Sequence, residues 1–319
     1  MHNLTKSKKM SKVASKKAPS KKTATNSTTD IRVLKMLVRL RDDYQSMRTR
    51  VDNRLGRKAD GTAQDVDRAF TPEHIEMFDV YGVNAQNQEE TLEAQLEAEL
   101  RKYPIYTKFL SQRKSGIGTI AAGYIISMID IHEATTISKI WQYAGLNPSM
   151  VPGTKDREVV DEHGEKHRET YKVKTLVKGD RPTKEYVLPY NKRLRVALCG
   201  VMASNMLKAC IRGKDVTQEE YESLPVAYRR MKGPKTYQKV YAIKKDGENY
   251  LAAKHRYMTD PAWKTRREAK GGLAHVHAAS SRWMVKMFLI ELYVAWREME
   301  GLSVREPYNE ARRGFAHTE

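Results

Sequence analysis

The sequence predicts a mainly α protein: a helical, coiled-coil-like layer, then a larger domain with a helix-hairpin-helix turn and an inserted β-ribbon. Three observations predict it. Apolar residues alternate at spacings of four and three from Val33 to Val51. A Gly-x-Gly turn at Gly116 and Gly118 separates two helix-like stretches. A Val-, Tyr- and Thr-rich run at about 155–190 is punctuated by turn residues.

The first segment, residues 1–29, carries eight lysines and no acid, with Leu4 and Val13 its only large aliphatic residues. Such a segment cannot offset its ordering entropy and is expected to be a disordered tail. Its chemistry suits an arm lying along phosphates. Residues 30–112 form the helical region. Val33, Leu37, Leu40, Tyr44, Met47 and Val51 make an a/d seam, with Asp30 able to cap its start and Gly56 to end it. The seam is short, so it suits packing inside the protein as well as a homo-oligomer. A second helix opens at Thr71-Pro72. A third is expected from about Gln86 to Lys102, with Leu92, Leu96 and Leu100 on one stripe and a run of glutamates beside them. Pro104 breaks or kinks it before Phe109 and Leu110. Its acidity makes it a packing or oligomerisation layer and the wrong surface for DNA.

Residues 113–319 form the larger domain. Within the insertion at about 155–190, strands are expected at 157–160, 168–177 and 184–188. Asp161-Glu162-His163-Gly164 and Gly179-Asp180-Arg181-Pro182 turn the chain between them. Asn191 opens a helix reaching about Ile211, residues 212–272 read as mixed and loop-rich, and a last helix runs from about Leu273 to Met299.

Composition narrows the partners. There are 58 Lys and Arg against 39 Asp and Glu, a formal net charge of +19. Such an excess calls for a polyanion, with nucleic acid first and an anionic membrane surface second. The most apolar run, residues 283–296, contains Lys286 and Glu291 and falls short of the roughly 20 residues a membrane span needs. The early lysines lead into no apolar core, so no secretory leader is expected. The expected location is cytoplasmic, at the nucleoid. Cys199 and Cys210 read as two buried free thiols.

The sharpest binding signal is the run from Arg113 to Ile126. A helix ends near Lys114, Gly116, Ile117 and Gly118 form a tight turn, and a new helix begins at about Thr119. The glycines let backbone approach a phosphate, and the amides of the new helix start bind the anion. Ile117 fills the gap between helices, and Arg113 and Lys114 add positive charge. Lys192, Arg193 and Arg195 form a second basic cluster where the next helix begins.

Taken in order, Ser115-Gly116-Ile117-Gly118-Thr119, the run Ile140 to Pro148 that contains Ala144-Gly145-Leu146, and Asn191-Lys192-Arg193-Leu194-Arg195 resemble the C-terminal domain of the DEDD, Piv-type insertion-sequence transposases and invertases. The final helix, with Ala274 through Arg282, is also similar to that domain's closing helix. The resemblance implies a DNA-binding protein acting in DNA transposition or site-specific recombination, and a guide RNA as partner in some members. The family's RuvC-like domain holds four metal-binding acids. About 110 residues precede the hairpin here, with no acid-bearing alternating strands among them, so no complete nuclease site is expected. Mg²⁺ chemistry would then need a RuvC-like partner chain or a site not recognisable in sequence. The family's serine should fall near Pro152-Gly153, which leaves only Ser149 or Thr154 as nearby hydroxyls, with Ser149 the candidate catalytic residue. A non-enzymatic architectural or regulatory DNA-binding protein, or an RNA-binding protein, is the alternative reading.

Other constellations read as structural. His275 and His277 diverge on a helix and have no neighbouring acids. Trp141, Trp263, Trp283 and Trp296 read as core, while Tyr143, beside the hairpin, is a candidate surface aromatic. No metal site, P-loop or dinucleotide fingerprint is present, and no cofactor is expected.

Overall fold

A computed structural model describes residues 27–56, 70–146, 152–160, 164–174, 190–233 and 235–305. Residues 1–26, Ser149 and the expected strand at 184–188 lie outside the described residues. Within them the protein is mainly helical.

The first layer is a helical hairpin of α1 (Ser27–Arg54) and α2 (Pro72–Leu100). The Thr71 hydroxyl accepts the His74 amide at 3.3 Å, and Pro72 occupies the first turn, where its missing N–H costs nothing. The two helices expected between Thr71 and Lys102 are one continuous helix. Gly82, near its middle, is a packing point and not a break, because a Cβ there would lie 3.4 Å from Val51 Cγ1. At α1, Asp30 lies inside a helix already formed at Ser27, so it is not the cap. Gly56 follows the end of α1 with φ of 69°.

The face that α1 buries keeps half of the expected seam, with Leu37, Tyr44 and Val51 half-buried, and shifts to the residues beside the other half. Leu34 and Val38 are the fully buried residues, while Val33, Leu40 and Met47 are exposed. The packed stripe continues through Arg41, Gln45, Arg48 and Asp52, again at spacings of three and four but with polar residues. The acidic face of α2 gives the reason. Arg41 lies 2.9 Å from Glu93 and 3.5 Å from Glu89, and Arg48 lies 2.7 Å from Glu89. Glu89 is only 5 % exposed, and the two arginines satisfy its buried carboxylate.

A π-helical turn at Tyr106–Leu110 leads to α3 (Thr119–Met128) and α4 (Ile137–Tyr143). Next come β1 (Pro152–Val160) and β2 (Lys166–Lys174), paired antiparallel with Val160 opposite Lys166. A continuous helical run follows, formed by α5 (Lys192–Val196), a π-helical segment Ala197–Met202 and α6 (Ala203–Cys210). The stretch expected to be loop-rich contains a three-stranded antiparallel sheet of order β3-β5-β4. Its strands are β3 (Ile211–Val216), β4 (Arg229–Gly233) and β5 (Thr236–Ala242), with α7 (Gln218–Ser223) between the first two. Only Gln238 and Val240 are buried on its central strand, so it carries no apolar alternation to betray it. The chain closes with α8 (Lys245–Thr259), α9 (Lys264–Glu268) and α10 (Gly272–Met299).

The axis of the core is α10. Met284, Val285, Phe288, Leu289 and Leu292 are at most 1 % exposed and share one cluster with Leu34, Val38, Leu96 and the apolar face of α3. Near its end the buried Arg297 donates to the carbonyls of Ile131, Ala134 and Ser303 at 2.9, 3.0 and 2.7 Å. Tyr293 donates to Thr135 O at 2.9 Å. Trp141 and Trp296 belong to this core, whereas Trp263 and Trp283 are half-exposed, a correction to their expected burial. No described helix is long and apolar enough to cross a membrane.

The α1–α2 hairpin packs on α3 at Gly123. A Cβ there would stand 2.9 Å from Leu96 Cδ2 and 3.1 Å from Val38 Cγ2, both in buried side chains. Gly123→Leu is therefore expected to destabilise the protein by at least about 1–3 kcal/mol through overpacking. Urea unfolding followed by circular dichroism checks this, and an unchanged midpoint would refute the three-helix junction.

Candidate nucleic-acid interface

The helix expected to end near Lys114 ends at Leu110; Lys114 (φ 51°) and Gly116 (φ 80°) follow in the left-handed region, and α3 starts after Gly118. The two glycines serve different ends. A Cβ on Gly116 would lie 2.4 Å from the Asn205 carbonyl oxygen of α6, so this residue presses against the protein's own helix. A Cβ on Gly118 would meet nothing within 4 Å. Gly118 is the N-terminal cap of α3 and supplies no side chain to its first amides. Gly118 and Lys114 are exposed at this positive helix end. Ile117 is half-buried against the core, and Thr119 is half-buried at the helix start.

Arg113, expected beside the phosphate, is turned inward. Its Nε and one terminal nitrogen hold the two Asp246 oxygens at 3.1 and 2.6 Å, and the other terminal nitrogen donates to Glu291. Its guanidinium also lies 5.6 Å from the Phe109 ring centre and 5.2 Å from that of Phe288. Burial disfavours its charge, and the hydrogen bonds to Asp246 and Glu291 more than restore it, so the guanidinium pKa rises. Asp246, 1 % exposed, sits in the first turn of α8, where the helix dipole also favours an anion. Arg113 thus positions the turn and does not line it. The cations that sequence reading missed there are Lys244 and Lys245. Lys244 donates to the Lys114 carbonyl, and Lys245 lies 3.5 Å from Glu291. Neither belongs to a local motif, so nothing in the sequence placed them beside residue 114.

The second basic cluster gathers differently. Asn191 caps α5 by accepting the Leu194 amide at 3.0 Å, and its amide group donates to the Tyr143 hydroxyl at 2.9 Å. The Asn191 backbone N–H donates to Tyr143 O at 2.8 Å. Arg195 donates to the Gly145 carbonyl and stacks 5.2 Å from the Tyr190 ring centre. Gly145 has φ of 66°, and a Cβ on it would stand 2.7 Å from Tyr190 Cδ2. The segments around Gly145 and Asn191, far apart in sequence, therefore form one locus. Lys192 and Arg193 are exposed there and make no ion pair among the described residues. Arg195, like Arg113, is a positioning cation.

The two loci are not adjacent. Gly116 touches α6 at Asn205 and Ala209, whereas Met128 Sδ receives the Asn191 amide at 3.7 Å. They lie at opposite ends of α3, separated by its ten residues, about 15 Å at 1.5 Å per residue. Between them, Tyr124 donates to Asp42 of α1, and burial together with that carboxylate pushes the phenol pKa well above its usual value. This bond ties the first layer to α3.

The remaining candidates are structural in character. His277 Nδ1 is 2.7 Å from the Tyr250 hydroxyl, and burial and the nearby Lys254 lower its pKa. Burial pushes the Tyr250 phenol up to about 12. Cys199 and Cys210 form no disulfide; Cys210 is buried, its pKa raised by burial and Asp246, whereas Cys199, expected buried, is half-buried. Among the described residues no three His, Cys, Asp or Glu side chains gather as a metal site.

No protein-family model, curated protein or solved structure matches this chain.

Removing Arg113 leaves Asp246 buried without its partner. Arg113→Leu is therefore expected to cost about 3–5 kcal/mol in unfolding free energy. The salt dependence of DNA binding by the folded fraction is expected to stay unchanged. A flattened salt dependence with unaltered stability would return Arg113 to the binding surface.

Proposed function

We propose that the protein binds duplex DNA through both ends of α3 and acts in DNA transposition or site-specific recombination, in the manner of the transposases it resembles. The observation that carries this reading is the uncapped, exposed start of α3 behind the Gly116 and Gly118 turn, held rigidly by Arg113 and α6 and flanked by Lys114. Rigid, unpartnered amides beside a lysine hold a phosphate without reading the base attached to it. Lys192 and Arg193 at the other end of the helix supply further phosphate contacts about 15 Å away. Arg113 and Arg195 support this surface from beneath.

In this reading the chain positions DNA, and strand cleavage draws on a RuvC-like partner chain that brings its own Mg²⁺ site. The net charge of +19 and the pairing of α2 acids with α1 arginines support the same assignment. Of the acids of the first layer, Glu89 is turned into the protein, whereas Asp43, Glu73, Glu76 and Glu90 stay exposed.

Duplex binding measured against salt tests the proposal. The double variant Lys192→Ala with Arg193→Ala is expected to weaken binding and flatten the slope of log K against log salt by about two units, one per lost phosphate contact. A slope equal to that of the unmodified protein would remove this locus from the interface.

A further inference from the structure

The segment from α8 to the first half of α10 carries a second cationic surface of a different kind. Residues 251–286 hold eight Lys and Arg against two acids, Asp260 and Glu268. The Asp260 side chain is engaged locally, accepting the Ala262 amide at 2.8 Å. Four of the flat side chains of this segment, with Trp283, stack in a continuous series. Arg266 lies 5.3 Å from the Trp263 ring centre, and Trp263 lies 4.2 Å from Tyr257 with planes 34° apart. Arg256 then lies 5.0 Å from Tyr257 and 4.4 Å from Trp283. The order is Arg266, Trp263, Tyr257, Arg256, Trp283.

This ladder is built and is not a chance of flexible side chains. Arg267 donates to the carbonyls of Tyr257 and Asp260 at 3.0 and 2.6 Å, which closes the turn between α8 and α9. Pro261 starts the short 3₁₀ turn that carries Trp263, with Asp260 as its cap. Tyr257, Trp263 and Trp283 are half-exposed, and Arg256 and Arg266 are exposed. An ordinary core would bury such large rings. An ordinary solvated face would not align them.

We infer that this ladder is a binding site for single-stranded nucleic acid, in which unpaired bases extend the stack from its exposed Arg266 end while the surrounding lysines and arginines hold the phosphates. Stacking on aromatic and arginine faces is how proteins hold unpaired bases without reading sequence, since every base has a π-face. A duplex cannot use the site, because its bases already stack on one another. Preassembly of the ladder lowers the ordering cost of binding. The inference is independent of the duplex surface at α3 and uses none of its residues. Deoxyribose and ribose strands share the recognised chemistry, and the test separates them.

The measurement is fluorescence anisotropy of a labelled oligodeoxyuridylate, an oligouridylate and an abasic strand of equal length, at one salt concentration, with the full chain. Either base-bearing strand is expected to bind more tightly than the abasic one, and the tighter of the two names DNA or RNA as the source. Trp263→Ala is expected to weaken base-bearing strands about ten- to a hundredfold while leaving the abasic strand and duplex unchanged. Trp263→Phe is expected to retain most of the affinity. Arg266→Gln, at the exposed end of the ladder, removes a guanidinium face without disturbing the core and is expected to act in the same direction. Equal binding of abasic and base-bearing strands, or a base-dependent advantage that survives both Trp263→Ala and Arg266→Gln, would overturn the inference.

Discussion

The turn before α3 meets two helices from far along the chain at the Arg113 guanidinium. The guanidinium leaves the segment before α3, grips both oxygens of Asp246 at the start of α8 and reaches Glu291 on α10, with the Phe109 and Phe288 rings packed against it. A charge in that setting is stable only while every donor is used, because its desolvation cost exceeds what any single contact returns. The arrangement therefore permits little slack in where the Gly116 turn sits. Gly116 itself, closed against the Asn205 carbonyl, leaves no room for the turn to sink further. Rigidity of the α3 start follows from these two constraints.

The same logic of satisfied buried charge recurs at both ends of the molecule. Between α1 and α2 it appears as Arg41 and Arg48 around Glu89, and at the end of α10 as Arg297 among three carbonyls. A cationic protein could dissipate its excess positive charge evenly over its surface. Here several arginines are spent on structure: Arg41, Arg48, Arg113, Arg195 and Arg297. The exposed cations are then concentrated at particular places, among them Lys114, the pair Lys192 and Arg193, and the stacked segment around Trp263. Charge count and binding charge are thus different quantities in this chain.

The proposed duplex contacts and the inferred single-strand site rest on different physics. The ends of α3 offer amides and point charges, whose attraction to phosphate is screened by salt. The ladder from Arg266 to Trp283 offers polarisable faces, whose contribution depends on bases being unpaired. One protein holding both would engage a junction between paired and unpaired strands, the kind of intermediate that recombination creates.

Local order and short-range chemistry were legible in the sequence. Thr71-Pro72 announced a helix start, Gly56 a helix end, and the long apolar helix near the C-terminus its central place, because caps, stops and periodicity are set by residues within a turn or two. The Gly116 to Gly118 turn was visible for the same reason. Which face α1 buries was not, since two interleaved stripes share one periodicity and only the glutamates of α2 select between them. Nor was the fate of Arg113, whose partners lie 133 and 178 residues away. The β3-β5-β4 sheet escaped notice because its strands are short and polar, and Trp263 and Trp283 read as core because hydrophobicity says nothing of exposure. The sequence by itself determined which residues carry charge, flatness or backbone freedom. Only the tertiary structure decided which cations are consumed internally and which face a ligand, because that choice depends on acids and rings brought close by chain segments far apart in sequence.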